Sequence, residues 1–140
     1  MLQGQVHDDN CWAMGGYAGH AGVFGCAEDV LRFAARLLGG FFPKEILGAL
    51  WTRVALPVGC ERTLGWDTPS GLLSSAGKKA SARMVGHLGF TGTSLWIDPV
   101  EGWAVTLLSN RVHPSRDNQK IRSFRPVFHD TLAEELAAKA

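Results

Sequence analysis

The stretch GHLGFTGTSLWIDP, residues 86–99, decides how the fold of this 140-residue chain is interpreted. It leads through the turn residues DPVEG into GWAVTLLSN, residues 102–110, and both segments are rich in β-forming residues. The pattern predicts an antiparallel hairpin whose first strand covers residues 84–97. Because the second strand is almost continuously apolar, we expect it to lie inside a sheet that is covered on both faces.

Two helical patterns precede this hairpin. Residues 27–38 predict a helix, because their apolar side chains recur at helical spacing, acidic residues occupy the first turn and Gly39 follows the end. Pro43 is placed to open a second, neighbouring helix that Pro57 ends. The apolar stripe of that second helix consists of Ile46, Leu47, Leu50, Trp51 and Val54.

A third helical pattern follows the hairpin, at residues 124–139. Pro126 is compatible with this helix only in the first turn, so Ser123 is the expected N-cap.

The segment between the second helix and the hairpin has a different composition. TLGWD, residues 63–67, predicts a short strand, and residues 68–83, rich in Ser, Gly and Lys, predict a surface loop. The element order is therefore helix, helix, strand, loop, hairpin, helix, which indicates an α+β fold.

Composition limits the classes of function. Fourteen basic and thirteen acidic residues give a formal net charge of +1, and no run of Lys or Arg could follow a phosphate backbone, so we expect no nucleic-acid partner. No segment reaches the roughly 20 apolar residues that span a bilayer, and MLQGQVHDDN at the start lacks the pattern of a signal peptide. Cys11, Cys26 and Cys60 have no C-x-x-C spacing, and we expect small buried residues rather than a disulfide framework or zinc site.

Ser75 and Lys78, in SAGK, match the S-x-x-K pattern in which a lysine activates a serine nucleophile. That chemistry requires a helix, because only there do positions i and i+3 share a face. The match contains Gly77 and lies in the Ser/Gly/Lys-rich loop. We therefore interpret it as a chance match.

The polar residues HDDN, at 7–10, leave three alternatives open: metal ligands, a substrate-facing loop, or a loop in which Asp and Asn side chains hold backbone amides. His20 and His113 are similarly ambiguous, and a buried histidine bonded to loop carbonyls is the more common outcome. A three-histidine site of His7, His20 and His113 would carry no recognised ligand spacing. The sequence assigns no metal, and no role to these histidines or to Asp8.

The quoted stretch is the strongest functional signal. Alternate residues from His87 onward would share one face of a strand. Gly89 lets a substrate approach the backbone, and a free N–H just beyond it is placed to donate to a developing oxyanion.

The same stretch resembles the third active-site motif of the serine β-lactamase and penicillin-binding-protein superfamily, in the H-T-G form of class C-like β-lactamases, DD-peptidases and related esterases. Other segments resemble stretches of the superfamily in the same order: VHDDNCWAMGGYAGHAGVFG with AEDVLRF, LGWDTPSG with SSAG, and LLSNRVHPSRDNQKIRSFRPVFHD. The resemblance extends from Val6 to about Asp130.

This resemblance implies an antiparallel sheet with helices on both faces and the last helix packed on the sheet. It implies that His87, Leu88, Gly89 and Thr91 bind substrate, with His87 in the first motif position, and that the backbone N–H of Phe90 is one of two oxyanion donors. The implied substrate is a small-molecule amide or ester, cleaved through an acyl-enzyme without a cofactor or metal.

Two departures from the family pattern matter. Leu88 stands where the family often has Thr, which removes a hydroxyl that could bind a substrate carboxylate. The family's S-x-x-K helix and tyrosine motif lie upstream of the matched region, and Tyr17 does not fit the latter. We therefore expect residues 1–140 to be the C-terminal part of a serine hydrolase, inactive alone and prone to self-association through the surface left by the missing part. The alternative is a non-catalytic ligand-binding or interaction module that retains the cleft wall.

Overall fold

Helices cover both faces of a small antiparallel sheet in the computed structural model, which describes residues 3–55, 57–71 and 73–138. The elements in chain order are α1 (Asp9–Ala13), α2 (Ala27–Leu38), α3 (Lys44–Trp51), β1 (Val85–Leu88), β2 (Ser94–Asp98), β3 (Trp103–Leu107) and α4 (Ile121–Ala137). The strand order is β1-β2-β3. The architecture is α+β, as the sequence predicted. No helix in these ranges is long and apolar enough to cross a bilayer.

The segment predicted as one strand, residues 84–97, is itself a hairpin. β1 and β2 are antiparallel, with Gly86 opposite Trp96, and residues 89–93 form the turn between them. Gly92 has φ 111°, a backbone conformation that L side chains rarely adopt, and it helps to turn the chain back. The second predicted strand follows as β3, so two predicted strands are corrected to three.

β3 lies at an edge of the sheet, not inside it as its apolar pattern predicted. Within the described ranges it pairs with β2 alone. Both of its faces are nevertheless covered, because Ala104 packs against a core that includes Leu37 of α2, and Val105 belongs to a core that Phe128 of α4 contacts. Burial on both faces accounts for the continuous apolar run, which carries no information about the strand's neighbours.

Two apolar cores lie on the two faces of the sheet. The first joins α2 and α3 to the strands and contains Ala34, Leu37, Leu47, Val85 and Ile97. The second contains Ala76, Met84, Trp96 and Val105, against which Phe128 and Leu132 of α4 pack. Because consecutive strand residues face opposite sides, the sheet separates the α2–α3 layer from α4.

α2 has the predicted bounds, whereas two neighbouring segments differ from prediction. Pro43 is the N-cap of α3 rather than its first residue, and the helix ends at Trp51. Val54 therefore lies outside α3, and its N–H bonds instead to a carbonyl of the following loop. Residues 63–67 form only isolated bridges, because Gly65, at φ 80°, turns the chain within them.

α4 begins earlier than predicted, with Lys120 as its N-cap. Ser123 lies in the first turn, where its hydroxyl donates to Lys120 O (3.0 Å), so the N-cap prediction was wrong. Pro126 is the sixth helical residue, beyond the first turn. The turn before the proline is nevertheless helical, and Arg125 within it donates hydrogen bonds to Gly89 O and Thr93 O. The predicted end at Lys139 lies outside the described residues.

All three cysteines are free thiols, but only Cys11 is buried. Cys60 is half-buried, and Cys26 is exposed at the N-cap of α2. The expectation that all three would be buried was therefore wrong, since an N-cap position faces solvent here.

We predict that Gly86→Ala destabilises the fold by about 1–3 kcal/mol, the usual cost of overpacking a core. An added Cβ there would overlap the indole of Trp96 and the carbonyl oxygen of Leu95. The matched control is Gly48→Ala in α3, where an added Cβ meets nothing within 4 Å and alanine should stabilise the helix by roughly 0.5–1 kcal/mol. Urea denaturation followed by circular dichroism measures both changes. Equal free energies of unfolding for Gly86→Ala and Gly48→Ala would contradict the close pairing of β1 and β2 at Gly86.

Candidate functional site

The turn between β1 and β2, residues 89–93, is closed by its own backbone. The Gly89 N–H donates to Thr93 O (2.8 Å), and the Gly92 N–H donates to Gly89 O (3.1 Å). An added Cβ at Gly89 would overlap Thr93 Oγ1, and one at Gly92 would overlap Ser109 Oγ. Close packing against Thr93 in the turn and against Ser109 in the loop after β3 therefore favours glycine at both positions.

The loop after β3 holds this turn from outside. Arg111 donates from Nε to Phe90 O (2.6 Å) and from its backbone N–H to Thr91 O (2.9 Å), while Ser109 Oγ donates to Gly92 O (2.7 Å). The guanidinium of Arg111 also lies 4.1 Å from the centroid of the Phe90 ring, a cation–π contact. The loop after β3 thus holds the turn by donating hydrogen bonds to the carbonyl groups of the turn.

The N–H of Phe90 differs from the carbonyls around it. Each carbonyl oxygen from Gly89 to Thr93 accepts at least one hydrogen bond, whereas the Phe90 N–H finds no acceptor among the residues described. Phe90 is 56% exposed. A free N–H in a turn whose carbonyl groups are all bonded is the kind of donor that stabilises an oxyanion.

The other predicted site residues are not all on one surface. His87 is exposed, with Nδ1 3.1 Å from Leu88 O, and Leu88 is half-buried and lines a cleft. Strand alternation places the side chain of His87 on the face opposite that of Leu88. Gly89, Phe90 and the half-buried Thr91 lie together in the turn.

A cleft of about 550 Å³ opens beside Leu88, within the size range of small-molecule sites. Its sheet side consists of Leu88 and Trp96, and the charge of Arg62 is paired with Asp67 (3.1 Å). No site was predicted here from the sequence, although the family-like segments LGWDTPSG and SSAG contribute to the cleft wall. The loop residues are Pro57, Val58, Gly59, Cys60, Glu61, Arg62, Asp67, Thr68, Ser70, Leu73, Ser74 and Ser75.

Ser75 lies in the cleft wall but not on a helix. The described residues around it form turns and bends, and Gly77 has φ 88°. Lys78 is exposed. The helical geometry that an S-x-x-K pair requires is absent at this segment, in agreement with its interpretation as a chance match.

A buried histidine that the sequence analysis did not select joins the cleft to the sheet. His129 of α4 is 3% exposed, with Nδ1 2.8 Å from Ser75 O and Nε2 3.5 Å from Ser94 Oγ. Because a carbonyl can only accept, Nδ1 carries the proton and Nε2 accepts from the serine hydroxyl. Burial lowers the pKa of His129 and so favours the neutral imidazole.

The N-terminal polar residues form a helix cap. Asp8 Oδ1 accepts from the Cys11 N–H (2.7 Å) and lies 3.0 Å from His20 Nε2. The bond from Cys11, and then that to His20, lowers the pKa of Asp8. His20 and His113 are exposed, so the expected buried histidines bonded to loop carbonyls were wrong, and His7 stacks on an aromatic ring of the turn. No three His, Cys, Asp or Glu side chains in the described ranges group closely enough to hold a metal.

Comparison with known proteins places this geometry in context. The model of the Beta-lactamase family matches residues 3–125. A provisionally named D-alanyl-D-alanine carboxypeptidase from Salmonella gallinarum (strain 287/91 / NCTC 13346) is 37% identical over 131 residues, and one from Salmonella agona (strain SL483) is 36% identical over the same length. Each match covers 86% of this chain and 30% of the relative, so the chain spans under a third of those proteins. No solved structure matches the chain significantly.

We predict that the free energy of unfolding falls as the pH is lowered from about 7 to about 5, and that His129→Asn removes part of this slope. Below the ordinary histidine pKa of about 6.5, the unfolded chain takes up a proton at His129 that the folded chain resists, because burial lowers its pKa. Asparagine retains a donor for the carbonyl of Ser75.

Urea denaturation at several pH values measures the slope. His87→Asn is the matched control, since it makes the same substitution at an exposed imidazole on β1. If the free energy of unfolding of His129→Asn changed with pH as steeply as that of the wild type, the assignment of a buried neutral imidazole to His129 would be refuted.

Proposed function

Since the chain belongs to the beta-lactamase family of serine hydrolases, we propose that its 140 residues form the substrate-binding wall of an acyl-transfer site and supply one oxyanion donor. The nucleophile, in this proposal, comes from a part of the protein outside these residues. The match to 30% of each curated relative supports a division of the site between this segment and a larger remainder.

The free N–H of Phe90 is the observation that carries this proposal. Attack on a substrate carbonyl places negative charge on its oxygen, and a fixed N–H aimed at that position stabilises the transition state. Removal of one such donor typically costs about 10²–10³ in turnover. Phe90 follows His87, Leu88 and Gly89 directly, as the family motif requires of this donor.

The cleft that Leu88 lines, at the end of β1, supports a substrate of modest size. Its sheet side is apolar, at Leu88 and Trp96, and Ser70, Ser74 and Ser75 offer neutral polar groups opposite. The curated relatives are provisionally named for action on D-alanyl-D-alanine. Leu88 has no hydroxyl for a substrate carboxylate, so we assign to the whole protein a small-molecule amide or ester whose apolar part lies against Leu88 and Trp96.

Turnover requires a nucleophile that the described helices do not provide. None of α1 to α4 carries a serine and a lysine in S-x-x-K spacing. In a serine protease, loss of the nucleophile costs about 10⁶ in turnover, and the oxyanion hole with binding alone retains roughly 10³–10⁴ over water. The second oxyanion donor, which in this family is the N–H of the nucleophile itself, would be missing as well.

The edge position of β3 supports the proposal that the sheet of this chain is incomplete. Its sequence WAVTL carries no charge or proline that would discourage pairing, and its outer edge has no partner strand within the described ranges. We propose that, in the whole protein, the part outside these 140 residues pairs with this edge. In the isolated chain, a second copy would occupy it.

We predict that the purified 140-residue chain does not hydrolyse nitrocefin or p-nitrophenyl esters above the rate in buffer, because it holds one oxyanion donor and no nucleophile. Ser75→Ala is the matched variant and should give the same result. Turnover by the wild type that Ser75→Ala abolishes would overturn both the inactivity and the interpretation of SAGK.

Sedimentation equilibrium separates this proposal from a non-catalytic binding module. An incomplete sheet should self-associate, and Leu107→Lys on β3 should shift the chain towards monomer, while Val100→Lys in the exposed β2–β3 turn should not. A wild-type monomer at all concentrations that melts cooperatively would favour the binding module.

A further inference from the structure

Helix α4 places one buried cation behind the β1–β2 turn. Arg125 is 6% exposed, and its Nη2 donates to Gly89 O (2.9 Å) and to Thr93 O (2.6 Å). These two carbonyls stand at opposite ends of the turn. A single guanidinium therefore joins both ends to α4.

The charge of Arg125 is not neutralised by a carboxylate. The ion pairs found among the described residues do not include it, and its Nε has no acceptor. Buried charges are normally paired, because desolvation is costly. That desolvation, together with the nearby charge of Arg111, lowers the pKa of Arg125 below its usual range. Arginine still remains protonated at neutral pH, so the site keeps a buried, uncompensated positive charge.

We propose that Arg125 is the positioning residue of the oxyanion donor: its two hydrogen bonds fix the turn in the conformation that leaves the Phe90 N–H free. Its positive charge also makes the turn more favourable for a developing oxyanion. The catalytic meaning of this role rests on the proposed function, whereas the fixation of the turn does not.

Among the described residues, Arg125 is the side chain that donates to the carbonyl groups at the two ends of the turn. Gly89 O and Thr93 O each accept one backbone bond within the turn, which closes the turn but does not orient it. Arg111 bonds to the carbonyls of Phe90 and Thr91 from a loop rather than from the core. Without the guanidinium, the backbone hydrogen bonds at both ends of the turn would remain, but their link to α4 would be lost.

Arginine suits this role better than lysine. Its planar guanidinium presents donors in a fixed fork, while the lysine ammonium is a point charge on a flexible stem. Arg125→Lys therefore preserves the charge but weakens the geometry, and Arg125→Met removes both. Arg122→Met is the matched control, because Arg122 is exposed on the same helix.

Backbone ¹⁵N relaxation of the 140-residue chain tests the proposal, with a thermal melt of each variant. In the wild type, residues 90–92 should have order parameters near 0.85, the value of rigid backbone. In Arg125→Met they should fall below about 0.6, with Arg125→Lys intermediate and Arg122→Met unchanged. The β2–β3 turn, residues 99–102, should keep its order in every variant.

Wild-type order at residues 90–92 in a folded Arg125→Met chain would overturn the proposal. A lower melting temperature with an unchanged turn would likewise assign Arg125 a merely structural role. If Arg125→Met does not fold, the comparison becomes Arg125→Lys with Ser109→Ala, which removes one outer bond to the turn. If the order parameters of residues 90–92 fell further in Ser109→Ala than in Arg125→Lys, the role of Arg125 would be refuted. Because these measurements need no turnover, their failure leaves the proposed function untouched, and hydrolysis by the wild-type chain would leave the role of Arg125 untouched.

Discussion

The hydrogen bonds from Arg125 to the carbonyl oxygens of Gly89 and Thr93 are the contact on which the candidate site depends. Each of these carbonyl groups also accepts one backbone hydrogen bond within the turn, and the guanidinium adds a second donor from the protein interior. α4 supplies the donor because Phe128 and Leu132 pack the helix against the sheet and so bring Arg125 beneath the turn. The free N–H of Phe90 is therefore a consequence of helix packing as much as of the motif in which it lies.

The same helix also fixes the cleft wall. His129 Nδ1 donates to Ser75 O (2.8 Å), and Asp130 Oδ1 accepts from the Lys79 N–H (2.9 Å). The turn and the cleft loop are thus both hydrogen-bonded to neighbouring residues of α4. A shift of α4 would therefore move both together. Preorganised donors are effective because they need no rearrangement during reaction.

Local patterns in the sequence were sufficient for α2 and for the β2–β3 hairpin, because each is encoded by periodicity and adjacent turn residues. The turn at 89–93 was not predictable in this way. Its β-rich pattern continues through residues 84–97, and the contact that decides its conformation comes from Arg125, 36 positions beyond Gly89. The edge position of β3 was missed for a related reason, since an apolar run reports which faces are covered and not which strands are adjacent. The candidate site residues follow the same division: Phe90 belongs to the quoted motif, while His129 and Arg125 belong to no motif.

Amide hydrogen exchange of Phe90 in the folded 140-residue chain tests the central claim most directly. The N–H groups of Gly89 and Gly92 are bonded within the turn, and that of Phe90 has no acceptor among the described residues. The account predicts that Phe90 exchanges at nearly the rate of an unstructured amide while Gly89 and Gly92 are protected. Protection of Phe90 equal to that of these two glycines would mean that the donor is already occupied, and would contradict its assignment to the oxyanion hole.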